Sequence, residues 1–150
     1  RARAKATTSY MLDLALAGRL GLVVDGTGRD FDKISFQVRA LKELGYDAHM
    51  IFVNTSLDVA LQRNQMRSRT IPEYIVTRSW NDVQSNIGKF QNLFGPSNMV
   101  IIDNNISDKE LTTQTMTKVS KAVNRMLNNP IKSYTAKRWI ATELRNKRRK

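Results

Sequence analysis

Two groups of residues in this 150-residue chain have types and spacing suited to handling phosphate. The first is Arg63, Arg67 and Arg69, in the stretch LQRNQMRSR. Arg63 and Arg67 stand one helical turn apart on a shared face, with no carboxylate between them. Like charges at that spacing cost about a few tenths of a kcal/mol unless an anion lies opposite. Guanidinium groups suit phosphate because they bind it through a planar pair of hydrogen bonds and stay charged. An ordinary basic helix surface has the same composition, and both readings stand. The second group is formed by the polar ends of three apolar runs: Asp25-Gly26-Thr27, Asn54-Thr55 and Asp103-Asn104-Asn105. In an open parallel sheet, ligands bind outside the carboxyl ends of the strands. The same residue types also begin turns, so the convergence is equally what loops require.

Other candidates give less. In LGLVVDGTGRDFDK, Gly21 and Gly26 have the spacing of the two glycines of a phosphate loop, G-x-x-x-x-G-K-S/T. Thr27 and Gly28 stand where the lysine and the magnesium-binding hydroxyl belong, and Leu22, Val23 and Val24 are strand formers. The match is accidental. His49 is the one histidine, lies in an apolar run, and has no cysteine or Glu-x-x-His context for a zinc site. Trp80, Phe90 and Phe94 recur at helical spacing and read as core.

These residues need elements to hold them. The runs Leu20–Asp25, Ala48–Val53 and Met99–Asp103 read as buried strands, and helical segments separate them. That order predicts a three-layer α/β domain with a parallel sheet and crossover helices. A first helix is expected over Thr8–Ala17, stopped by Gly18. A second follows Asp30 as N-cap, with Phe31, Ile34, Val38 and Leu41 on one stripe and Gly45 at its end. Ser56 caps a third helix running towards Arg67. Thr70 and Glu73 have capping-box spacing for the longest helix, with Pro72 in its first turn and Gly95-Pro96 as its stop. Ser107 and Glu110 repeat that spacing for a helix lasting to Asn128 or Asn129. A last amphipathic helix carries Tyr134, Ile140 and Leu144. Asn128-Asn129-Pro130 is the expected boundary between an α/β domain over 1–129 and a basic helical extension over 130–150.

The charge is unevenly placed. Of the net +12, residues 118–150 supply 11 Lys/Arg against one acid, Glu143. Such a segment attracts polyanions in a salt-dependent way, nucleic acid among them, and it also serves as a solubilising tail. No apolar run approaches 18 residues, so no membrane partner is expected. The lack of cysteine fits a reducing compartment, and the expected location is the cytoplasm of a bacterial or phage-host cell.

From about Leu20 to Asn105 the chain resembles the P-loop kinases of the zeta-toxin and polynucleotide-kinase type, including small phage-encoded relatives. The resemblance rests on a strand ending in acid-Gly-Thr-x-Arg, then LGY, then VNTSLDVALQR and an arginine-rich segment. It implies that Asp25, Thr27 and Arg29 line the phosphoryl-acceptor pocket, with Asp25 also catalytic. It implies that Arg63, Arg67 and Arg69 form a lid over the ATP phosphates and stabilise the transferring group. Arg67, Asp103 and Asn104 would then meet the nucleotide. ATP and Mg2+ are the cofactors expected of a complete enzyme, and none is expected to be required by these residues alone. The family's phosphate loop precedes the first helix, and no such motif occurs in this sequence. The start at Arg1 fits the C-terminal part of a longer kinase, inactive by itself, with a lost central strand leaving an edge open to self-association. Two other functions remain open: a nucleic-acid-binding module using the basic tail, with Tyr134 and Trp139 interleaved, or a degenerate kinase fold with a structural role.

Overall fold

A computed structural model describes residues 2–105 and 109–149. The core forms where aromatic residues of one long helix meet a short parallel sheet. The sheet consists of β1 (Met50–Asn54) and β2 (Met99–Asp103), paired in parallel with Met50 opposite Met99 and Asn54 opposite Asp103. The intervening helices α3 (Leu57–Gln65) and α4 (Glu73–Phe94) make the crossover that a parallel pair needs. Phe90 of α4 is fully buried and touches Phe31, Phe52 and Phe94, with ring centroids 5.4, 6.4 and 6.5 Å away. Val38 and Met99 complete this cluster, and Ile34, Val83 and Ile87 pack around it.

The remaining helices are α1 (Ala2–Ala17), α2 (Phe31–Glu43), α5 (Lys109–Leu127) and α6 (Tyr134–Arg148). Asp30 caps α2 by accepting from the Lys33 N–H at 3.0 Å. Ser56 and Ser133 cap α3 and α6 in the same way. Gly45, at φ 99°, ends α2: its N–H reaches the Lys42 carbonyl and that of Tyr46 reaches Leu41. Only a residue tolerant of left-handed backbone closes this six-residue turn cheaply.

Several expectations need correction. Leu20–Asp25 is not a strand. Among the described residues no backbone hydrogen bond ties residues 21–27 to a neighbour, and Val23 is fully exposed. A strand requires a partner for its N–H and C=O groups, and β1 pairs only with β2 among the described residues. The expected three-strand, three-layer arrangement is therefore a two-strand sheet with helices. The first helix starts six residues earlier than the sequence suggests, at Ala2, and its left-handed closing residue is Arg19 (φ 53°) rather than Gly18. The Thr70/Glu73 capping box does not form: Pro72 is the N-cap of α4, without a side-chain hydrogen bond, while Glu73 accepts from Gln65 Nε2 at 3.0 Å. β1 lies two residues later in the chain than Ala48 and takes in Asn54. The start of the helix proposed at Ser107 falls outside the described residues.

α1 buries none of its residues. The total accessible surface, 11916 Å², is well above the ~7,700 Å² typical of a compact monomer of 17.1 kDa. The N-terminal arm, where Tyr10, Met11, Leu14, Leu20 and Val24 are exposed, contributes to that excess, as does α6, which also buries none of its residues.

Candidate phosphate site at the strand ends

The carboxyl ends of the two strands are stitched together. Asn104 N–H donates to the Asn54 carbonyl at 2.8 Å, and Ser56 N–H donates to Asn105 Oδ1 at 2.6 Å. Asp103 Oδ1 accepts from both the backbone N–H and the side-chain amide of Asn105, at 3.0 and 2.6 Å. The Asp103–Asn105 loop is thus held by its own acid and locked onto the N-terminus of α3. Sequence reasoning placed the three polar strand ends together, and the structure brings two of the three into direct contact.

α4 reads out where the site faces. Gln84 Nε2 donates to Asn54 Oδ1 at 2.8 Å, and the Trp80 indole N–H donates to the Thr55 carbonyl at 2.7 Å. Phe90 of the same helix lies against Phe52. α4 consequently runs antiparallel to β1, and its first two turns, roughly 10 Å, continue past the carboxyl ends of the strands. α3 packs against α4, so the two form a hairpin projecting from that edge. Arg63 lies near the end of α3, and Arg67 and Arg69 lie in the connection.

That connection is clasped by one buried side chain. Asn64 Nδ2 donates to the Ile71 carbonyl at 2.8 Å and Asn64 Oδ1 accepts from the Ile71 N–H at 3.1 Å. The side-chain amide pairs with a backbone unit as a neighbouring strand would, and closes the loop 65–70 on itself. The recess beside this clasp is lined by Asn64, Gln65, Thr70 and Glu73. Arg63 is half-buried, while Arg67 and Arg69 are exposed. None of the three guanidiniums has an ion pair or hydrogen-bond partner among the described residues. Asp58 and Glu73, the nearby acids in sequence, do not pair with them.

The glycine-rich turn meets the base of the same hairpin. Asn86, buried in the middle of α4, donates to the carbonyls of Gly28 and Arg29 at 3.2 and 2.9 Å. Gly28 has φ 72°, and a Cβ there would lie 3.7–3.8 Å from Phe52, Val83 and Phe90. Arg29 then bridges to Asp82 at 3.5 Å and to Ser79 Oγ at 3.4 Å, both on α4. Exposed ion pairs of this kind contribute little stability, so this one positions more than it stabilises. Asp25 and Thr27 are exposed, and their side chains have no hydrogen-bond or ion-pair partner among the described residues. The family model for Zeta toxin matches residues 2–116. This chain belongs to the zeta-toxin family. Its fold is therefore of the P-loop kinase-like α/β type, and a kinase-like, nucleotide-binding function comes with the family. No curated protein and no solved structure matches the chain.

Three contributors escaped the sequence reading: Asn64, Asn86 and Asp82. Asn86 carried a usable signal, because it interrupts an apolar stripe between Val83 and Phe90. A polar residue at a core position of a zeta-toxin helix has to find buried partners, here the two carbonyls of the turn. Asp82 and Asn64 carried none, since their partners are distant in sequence or lie in a loop. His49, expected to be packed or edge-facing, is half-buried. Phe90 and Phe94 are core as expected, whereas Trp80 is half-buried outside their cluster and ties α4 to the strand end.

Proposed function

We propose that this chain carries the acceptor-binding and lid residues of a phosphotransferase that moves a phosphoryl group from ATP to a hydroxyl of a small molecule or nucleic-acid end. The observation that carries the reading is three unpaired arginines on a hairpin that leaves the carboxyl edge of a parallel sheet. Arg29 is anchored at the base of that same hairpin. Uncompensated guanidiniums concentrate anions and neutralise charge on a transferring phosphoryl group. In this reading Thr27 and Arg29 orient the acceptor, Asp25 takes the hydroxyl proton, and Asp103 and Asn104 border the nucleotide base. Arg63, Arg67 and Arg69 close over the phosphates.

The donors at hand do not supply the β- and γ-phosphate cradle: the 150 residues lack the phosphate-loop lysine and the neighbouring hydroxyl that would hold magnesium. The chain's own residues bind and orient, and the cradle has to come from outside them. With it in place, Leu20–Asp25 would gain a neighbour and become a strand, giving the three-layer sheet.

Calorimetric titration with ATP and an assay of ATP turnover test this reading. The 150-residue chain should bind ATP weakly without turning it over. Arg63→Ala with Arg67→Ala should weaken binding at least tenfold. Turnover by the chain alone, lost on Arg67→Ala, would place the cradle within these residues. Binding indifferent to both arginines would remove the lid.

A further inference from the structure

The family match ends at residue 116, and two cationic helix faces begin just after it. On α5, Lys118, Lys121 and Arg125 are exposed and recur at spacings of three and four, beside the face that buries Ala122 and Met126. On α6, Lys137, Arg138, Arg145 and Arg148 fall within an arc of about 100° at 3.6 residues per turn. Tyr134 and Ala141 lie in the same arc, and all six residues are exposed.

The opposite face of α6 is occupied. A Cβ built on Gly45 would sit 2.9 Å from the Ala136 nitrogen, so the helix rests directly on the turn after α2. Trp139 and Ile140 line the same junction with Leu44 and Tyr46, beside Arg19, whose guanidinium donates to the Leu44 carbonyl. The one acid of the segment, Glu143, is half-buried on this inner side. Docking holds Ala136, Trp139 and Ile140 of α6 against the turn, while its four stripe cations face away; Lys147, on the inner arc, and Leu144 stay exposed. None of the seven cations on the two stripes has an ion pair among the described residues, and Arg145 makes only local contacts to Ala141 and Thr142.

We infer that these faces grip the phosphate backbone of nucleic acid, reading charge rather than sequence. The α6 stripe, from Lys137 to Arg148, is about 16 Å long, which matches the axial length of roughly five base pairs of duplex. A membrane surface fits less well. Interfacial helices bury an apolar face among lipid headgroups, and the first turns of the apolar face of α6, at Ala136 and Ile140, rest on the protein. Trp139 belongs to that docked side, which corrects the expectation that it interleaves with the cations alongside Tyr134.

Fluorescence anisotropy of a labelled 20-base-pair duplex, titrated with the full chain from 50 to 200 mM salt, tests the inference. The α6 cations alone should give a slope of log K against log salt of about −3.6, and more with those of α5. Arg138→Gln with Arg145→Gln should weaken binding more than tenfold and reduce the slope by about 1.8. Arg138→Lys with Arg145→Lys should keep both. A duplex of scrambled sequence should bind equally, and Arg138→Gln with Arg145→Gln should leave ATP binding unchanged, which separates this surface from the hairpin. Circular dichroism confirms that each variant folds. No binding at 50 mM salt, a slope untouched by the glutamine pair, or tighter binding to phosphatidylserine vesicles than to duplex would each overturn it.

Discussion

Two parts of this chain have similar apolar content and opposite fates. In the wedge formed by α2, α4 and the sheet, Phe90 is fully buried and four other hydrophobic residues form its cluster. In the arm formed by α1 and residues 18–27, hydrophobic residues are as frequent, yet Val23 is fully exposed and α1 buries nothing. The difference is not propensity, since LGLVV forms strands as readily as MIFV. It is the availability of a partner. β1 and β2 find each other because the α3–α4 hairpin returns the chain parallel and α4 lies over Phe52. Residues 21–27 of the arm lie on neither free edge of the sheet, and among the described residues their backbone groups stay unpaired.

The largest effect should come from breaking the wedge. Phe90→Ala removes the ring shared by Phe31, Phe52, Phe94 and the Gly28 turn, and should cost about 3–5 kcal/mol in urea unfolding. A domain of this size has about 5–15 kcal/mol in total, so partial unfolding at 37 °C is expected. A loss under about 1 kcal/mol would mean the cluster is not the core.

A smaller effect should follow from cutting the tether between wedge and arm. Asn86→Ala leaves the Gly28 and Arg29 carbonyls without their buried donor, at about 1–3 kcal/mol. Hydrogen exchange should rise at residues 28–30 and spare β1 and β2. Equal acceleration across the sheet would show that Asn86 supports the core rather than the turn.

The elements that could be read from the sequence are those whose signals are local. Asp30 and Ser56 cap helices because a short side chain reaches an N–H three residues on, and such a pattern is visible in the sequence. The apolar run Met99–Asp103 is a strand as expected, and the stripe from Val76 to Phe94 is one helix. The run Leu20–Asp25 had the same local signal and failed, because pairing is a property of two segments. Pro72 shows the converse: Thr70 and Glu73 had the right spacing, but Asn64 holds Ile71 and Gln65 takes the Glu73 carboxylate, so the box has no free partners. For the site, strand ends and arginines were legible as types. The clasp by Asn64 and the tether by Asn86 were not, since each is a polar side chain answering a backbone group that only the fold brings near.

The smallest expected effect is also the sharpest test of the comparison. Val23→Asn replaces a strand former in the arm with a residue that strands disfavour. With the side chain fully exposed and the segment unpaired, the change should stay within about ±0.5 kcal/mol of the parent in urea unfolding. Ile102→Asn in β2 provides the contrast, because Ile102 is half-buried in a paired strand and should cost several times more. If Val23→Asn instead costs more than about 1.5 kcal/mol, the arm buries Val23 in solution and has found a strand partner, in its own chain or in a second copy. Concentration dependence separates those two cases. A cost that grows with protein concentration belongs to pairing between copies through the free edge of β1, and one that does not belongs to a third strand within the chain.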